Sequence, residues 1–204
     1  MINIEKNRIE FFKEIFTQFP EGKGVEVGTF KGEFSKELLT IWNGTLYMAD
    51  VWRPLGKEYI DASNHANFEH GVYGDAMNSI KGFEDRAVMI RATSAVASDV
   101  FPDESLDFAY IDANHAYEFV KEDIAKWWPK VKPGGWLCGH DYVKIDWWND
   151  KAFHENGIDK HIWSGSVYHG VFGVNPAVEE FCKETGNIVY ITNEFFGSWF
   201  VKKK

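Results

Sequence analysis

An α/β fold, a doubly wound and mostly parallel seven-stranded sheet with a C-terminal antiparallel hairpin, is predicted by three observations. The stretch from Leu106 to Tyr142 holds two apolar runs, the first ending at Asp112, Asn114 and His115 and the second at His140 and Asp141. Between them Tyr117, Val120, Ile124, Trp127, Trp128 and Val131 recur at helical spacing, so the unit reads strand, helix, strand. Upstream, residues 23–50 repeat that order around a glycine turn at Gly28 to Gly32. At the other end NIVYIT, a turn at NEFFG and SWFVKKK read as a hairpin. A helical crossover makes two strands parallel, so their polar ends emerge at one sheet edge, where ligands of open α/β sheets bind.

The elements follow in order. Ile9, Phe12, Ile15, Phe16 and Phe19 mark a first helix within residues 1–22, stopped by Pro20 and Gly22. Strand 23–27, helix 33–43 and strand 45–50 come next, the last ending at Asp50. Residues 53–82 are irregular at first and then helical through NFEHGVYGDAMNSI. AVMIRA (87–92) is a strand, followed by a short helix from about Ala95 to Phe101. The helix of the 106–142 unit is expected over 116–131. After Tyr142 the pattern lapses until residue 173, a length typical of lids and binding loops. A last helix is expected with Asn175 as N-cap, Pro176 at its first position, Val178 and Phe181 inward and Gly186 as stop.

With 204 residues, 45% of them apolar, the chain suits one domain spanning 1–204. A net charge of −9 with Lys202 to Lys204 as its only basic run, read as a solvated tail, argues against nucleic acid as a partner. Two cysteines, Cys138 and Cys182, give neither a disulfide framework nor metal spacing, and fit a reducing compartment as core residues. No apolar run approaches the roughly 20 residues that span a bilayer, so a cytoplasmic protein without membrane contact is expected. Aromatics reach 17%, with pairs at Trp127-Trp128 and Trp147-Trp148. They read as core and edge packing or as an aromatic wall around a substrate.

Strand 23–27 runs into Glu26-Val27-Gly28-Thr29-Phe30-Lys31-Gly32, an ExGxxxG pattern that opens a helix. Glycines there let backbone approach a ligand, and the helix start offers unpaired N–H groups. An ordinary βα turn would also use them. The acid at its head separates the pattern from dinucleotide GxGxxG turns, because Glu26 would repel a pyrophosphate but could hold an ammonium or a hydroxyl. Asp50, 24 residues later, is placed to accept hydrogen bonds from ribose hydroxyls. A ligand with a ribose, a cationic amino-acid part and no phosphate is S-adenosylmethionine.

On these residues the sequence resembles the Rossmann-like S-adenosylmethionine-dependent methyltransferases over nearly its whole length. IDANHAYEFVKEDI and KPGGWLCGHDY are similar to the branch of catechol O-methyltransferase and the sugar O-methyltransferases of antibiotic pathways. The resemblance implies that Glu26, Gly28, Thr29, Phe30 and Gly32 line the methionine part of the cofactor, Asp50 with Val51 the ribose and adenine, and Thr93 and Ser94 the adenine side, with Asp112 a further cofactor-binding residue. Phe34 stands where many relatives carry a hydroxyl residue, with Ser35 beside it, which leaves one contact to the methionine carboxylate open.

Methyl transfer to a hydroxyl needs an oriented acceptor and either a general base or a metal that lowers its pKa. Asp112, His140 and Asp141 sit on neighbouring strand ends and could bridge a divalent cation. Related O-methyltransferases use two carboxylates and a third polar ligand at these places. His140 in place of an oxygen ligand shifts the preference from Mg²⁺ towards Mn²⁺. Alternatively His140 and Asp141 orient each other or hold backbone without an ion, or His140 acts as a base. His115, at a helix start that disfavours its protonation, is a further base or a turn residue. Asp123 and Tyr117 read as structural, and His154, His161 and His169 in the long loop as solvated or substrate-facing.

The leading expectation is O-methylation of a small hydroxylated molecule, sugar or phenol. A nucleic-acid or protein methyltransferase is the second reading, opposed by the charge and by a fourth strand that ends in Ile111-Asp112-Ala113-Asn114 rather than an Asn-Pro-Pro-Tyr turn. A non-catalytic S-adenosylmethionine-binding protein is the third. The acceptor and the oligomeric state are not written in the sequence.

Overall fold

In chain order the computed structural model, which describes residues 1–55, 71–143 and 173–204, has strands β1 (Ile2–Ile4), β2 (Lys23–Val27), β3 (Thr45–Asp50), β4 (Ala87–Arg91), β5 (Leu106–Ile111), β6 (Val131–Tyr142), β7 (Val189–Thr192) and β8 (Gly197–Lys202). Helices α1 (Arg8–Gln18), α2 (Glu33–Ile41), α3 (Val72–Ser79), α4 (Ser94–Ser98), α5 (Tyr117–Trp127) and α6 (Val174–Thr185) lie between them. All eight strands form one sheet in the order β1-β7-β8-β6-β5-β2-β3-β4. Only β8 pairs antiparallel with its neighbours, β6 and β7. The sheet therefore has one strand more than the seven expected. The addition is β1, three residues paired parallel to β7 and too short to carry a period of its own.

The chain leaves β2 for β3 and β4 on one side, then returns to β5 on the other side of β2. That reversal puts the topological switch point at the carboxyl ends of β2 and β5, just before Gly28 and Asp112. Two cores flank the sheet. One packs Val25, Val27, Ala109, Ile111 and Leu137 under α4, α5 and α6. The other is aromatic: Phe12 on α1 meets the rings of Phe16, Phe34, Phe108, Tyr110 and Phe200 at 5.1–5.8 Å between centroids. Most of the described aromatics are thus core, and Cys138 and Cys182 are buried as expected. Trp147, Trp148, His154, His161, His169 and nearly all of the expected lid lie outside the described residues.

Several boundaries differ from the sequence expectation, among them the end of α2 at Ile41 rather than 43 and of α4 at Ser98 rather than Phe101. α5 ends at Trp127, and Trp128–Lys130 form a 3-10 turn, because Pro129 has no N–H to continue the ladder. Val131 consequently opens β6 and is not part of the helix. α6 is capped by Gly173 rather than Asn175, whose side chain is buried. Lys203 is not a solvated tail residue, since its Nζ donates to Val131 O at 2.8 Å and Trp128 O at 3.3 Å. At the other end α1 gains a capping box between Asn7 and Glu10. Among the described residues no helix is long and apolar enough to cross a membrane.

β6 does not keep strict alternation. Trp136 and Cys138 join the aromatic core and Leu137 the opposite one, which would send Tyr142 to the aromatic side, yet Tyr142 packs with Leu137. The parity breaks between Gly139 and Tyr142, where three steps on β6 match two on β8. Asp141 sits in this bulge with φ +58°, a left-handed conformation rare outside glycine and asparagine.

Candidate active site

The turn after β2 is held from two sides. Gly28 has φ +91°, and a Cβ there would lie 2.0 Å from the backbone oxygen of Asp112, so the missing side chain is what lets the ends of β2 and β5 close together. Asp50 at the end of β3 accepts from Phe30 N and Trp52 N, both at 2.8 Å, one on each carboxylate oxygen. Trp52 Nε1 returns a bond of 2.7 Å to Phe30 O. Phe30 and Trp52 themselves have positive φ, +51° and +42°, conformations that this mutual clamp over-determines. Gly32 then opens α2 at φ +75°. Trp52 is a site residue that sequence reasoning missed, although its place two residues after Asp50 was a signal.

Glu26 is 2% exposed on β2, where its carboxyl accepts from Ser35 Oγ. Phe34 turns into the aromatic core while Ser35, one position on, faces the acid. Burial raises the Glu26 pKa to about 8, partly offset by the Ser35 hydroxyl and by Arg8, with Asp112 and Asp50 adding to the rise. The folded protein without ligand therefore keeps a proton that the unfolded chain releases near pH 4.5. Its stability contribution is complete below that pH and is lost as pH rises towards about 8. Glu26→Gln is expected to flatten this decline by roughly 2–4 kcal/mol between pH 5 and 8. Thermal unfolding across that range checks it, and a slope equal to that of the unsubstituted protein would contradict it. Asp123, raised to about 7 by burial, acts in the same direction in both proteins and cancels from the comparison.

A cleft of about 370 Å³ opens between the ends of β3 and β4, lined by Val51, Arg53, Arg91, Ala92 and Thr93. Val51 and Thr93 of the expected adenine side thus share one cavity. Ser94 does not present its hydroxyl there: Ser94 Oγ donates to Asp123 and accepts from Trp127 Nε1 at 2.9 Å, which ties α4 to α5. Tyr117 is likewise committed, donating to Glu180 on α6.

At the switch point Asp112, His115 and Asp141 converge. His115 Nε2 is 2.8 Å from Asp141 Oδ2 and 3.6 Å from Asp112 Oδ1. These three residues offer ligand atoms all within 4.8 Å of one another, two oxygens and one nitrogen. Ligands at metal bonds of about 2.1 Å stand roughly 3.0 Å apart when adjacent and 4.2 Å when opposite, so small side-chain adjustments would let this set hold a divalent cation. His140 stands outside the set, its Nδ1 3.2 Å from the other Asp141 oxygen. The imidazole at the centre is His115, and the bulge turns the Asp141 carboxylate between the two rings. Burial opposes ionisation of Asp141, but His115 and then His140 outweigh it and hold the carboxyl below its usual range. Burial also works against protonated His140, and its bond to Asp141 with the charge of Asp112 reverses this, so its pKa is raised. Arg8 at the start of α1 reaches the same region, its guanidinium 4.2 Å over the Phe34 ring. Sequence reasoning missed it because nothing local distinguishes it from a solvated helix-start arginine.

Known proteins with this architecture bear on the chain in three ways. A family model described as a methyltransferase domain matches residues 25–142. No curated protein matches the chain in sequence. Among solved structures, a Staphylococcus aureus protein provisionally described as a caffeoyl-CoA O-methyltransferase superposes with TM-score 0.63 at 16% identity, over 98% of this chain and 84% of that one. An O-methyltransferase family protein from Burkholderia thailandensis gives TM-score 0.68 at 13% identity, over 96% of this chain and 55% of that one. The O-methyltransferase from Bacillus cereus, solved with S-adenosylhomocysteine (SAH), gives 0.60 at 11% identity, over 97% and 80%. The sequence match spans more than half of the chain and takes in the glycine turn, Asp50 and both strand-end acids. The chain therefore belongs to the methyltransferase domain family and is a methyltransferase with the S-adenosylmethionine-dependent class I fold, resembling the O-methyltransferases.

Proposed function

We propose that this protein transfers the methyl group of S-adenosylmethionine to a hydroxyl oxygen of a small molecule of sugar or phenol type. The observation that carries the reading is the meeting, at one switch point, of the Glu26–Gly28 turn with the Asp112–His115–Asp141 cluster. Glu26 and the turn suit the methionine part, Asp50 the ribose, and the cleft at Val51 and Thr93 the adenine. The acceptor then lies against the cluster. Its oxygen attacks the methyl carbon, the carbon–sulfur bond breaks, and that electron pair stays on sulfur as a neutral thioether. The hydroxyl proton passes to a base, Asp112 or His115 of the cluster or His140 beside it. A divalent cation, Mg²⁺ or Mn²⁺, held by Asp112, His115 and Asp141 would lower the acceptor pKa and fix its orientation. Catalysis at this site draws chiefly on orientation, since the leaving thioether needs no protonation.

The net charge of −9 supports a small-molecule acceptor over nucleic acid. SAH is expected to bind with a Kd in the micromolar range, on the order of −8 kcal/mol. Titration calorimetry tests this directly, and absence of binding would remove the reading.

A further inference from the structure

We propose that Arg8 and Glu26 form a zwitterion clamp, Glu26 taking the ammonium and Arg8 the carboxylate of the amino-acid end of the cofactor. The inference rests on the S-adenosylmethionine reading above and assigns a partner to the carboxylate end of that ligand, Lys31 of the glycine turn being exposed.

The geometry argues it in three steps. First, the Arg8 guanidinium is half-buried over the Phe34 ring at 4.2 Å, and among the described residues it makes a single hydrogen bond, donated by Nη1 to Tyr110 Oη at 3.5 Å. Tyr110 Oη is already engaged with Ser198 Oγ at 2.8 Å. A guanidinium carries five donors in a planar fork that matches a carboxylate, and one long bond to a phenol leaves most of that fork unused. Second, the nearby acid Glu194 is occupied elsewhere: its Oε1 accepts from the Arg8 amide at 3.2 Å and its Oε2 from Thr192 Oγ at 2.9 Å. Third, Phe34 and Ser35 are consecutive on α2, so the ring beneath Arg8 is one residue from the hydroxyl that holds Glu26. The Arg8 charge already acts on Glu26 and Asp112. A buried acid and a half-satisfied guanidinium around one helix start suit an α-amino acid group, whose two charges are of opposite sign and a few bonds apart. Stacking on Phe34 also restricts the arginine to the edge-on approach that a carboxylate requires.

The test compares two ligands that differ at the carboxylate, SAH and decarboxylated S-adenosylmethionine, by titration calorimetry on the full chain. Arg8→Met is expected to weaken SAH roughly 10- to 100-fold, the range for lost hydrogen bonds to a charged group, and to leave the decarboxylated ligand within about 3-fold. Arg8→Lys keeps the charge without the fork and should fall between, which preserves the test if the methionine variant does not fold. Equal SAH affinity in all three proteins would overturn the clamp while leaving the cofactor reading intact. Equal weakening of both ligands would show that Arg8 only balances the charge of Glu26 and Asp112, and would also overturn it. If the unsubstituted protein binds neither ligand, the cofactor reading fails and the clamp with it.

Discussion

Gly28→Ala is expected to abolish detectable SAH binding and to destabilise the fold by about 3 kcal/mol or more. Two costs combine. At φ +91° any Cβ strains the backbone, and this Cβ would stand 2.0 Å from Asp112 O and 2.5 Å from Asp112 C. Both obstacles are backbone, so no rotamer change relieves them. β2 and β5 must separate, which breaks the 2.7 Å bond from Asp112 N to Val27 O and moves the strand-end acid away from the turn. Urea unfolding midpoints and calorimetry on one preparation check both effects. A variant that binds as the unsubstituted protein does would show that the turn is no ligand contact.

The second large effect is expected at Asp141. Asparagine tolerates the left-handed backbone at φ +58°, so Asp141→Asn leaves the bulge in place and removes only the negative charge. That charge lies between His115 at 2.8 Å and His140 at 3.2 Å, and the residue is 8% exposed. Removing one partner from a buried charged group costs about 3–5 kcal/mol. The sign with pH follows from the lowered carboxyl pKa. The contribution is present above the ordinary range near pH 3.8 and disappears as pH falls through the folded value, so variant and parent converge in strong acid. On an acceptor found by screening, turnover with Mg²⁺ or Mn²⁺ is expected to fall by about 10²–10⁴-fold. Undiminished turnover, with or without metal, would place the chemistry elsewhere.

Periodicity carried most of the fold. Apolar runs and helical spacing located seven strands and the order of the helices, because each element buries a face long enough to leave a pattern. Features below that length escaped. β1 has three residues and is set by its pairing with β7, a contact some 190 residues away in sequence. The bulge in β6 carries no glycine at Asp141 to announce it, so strand-end position alone placed His140 and Asp141 as equal neighbours of Asp112. The backbone instead brings His115 into the trio and leaves His140 outside it. Ser94 illustrates the converse limit, since its position after β4 was legible, whereas the turn of its hydroxyl towards Asp123 and Trp127 depends on the packing of α4 against α5.

The edge strand β1 gives the proposed clamp a thermodynamic partner. Its three residues at the border of the sheet can open at little free-energy cost, and the chain passes directly from them through Asn7 into Arg8. A ligand that Arg8 grips binds only molecules in which this segment is docked, so its apparent Kd is the intrinsic Kd divided by the docked fraction. Mutations at the β1–β7 edge, far from any ligand atom, would then change Kd without altering a contact in the pocket. Cofactor binding, in turn, would close the far border of the sheet.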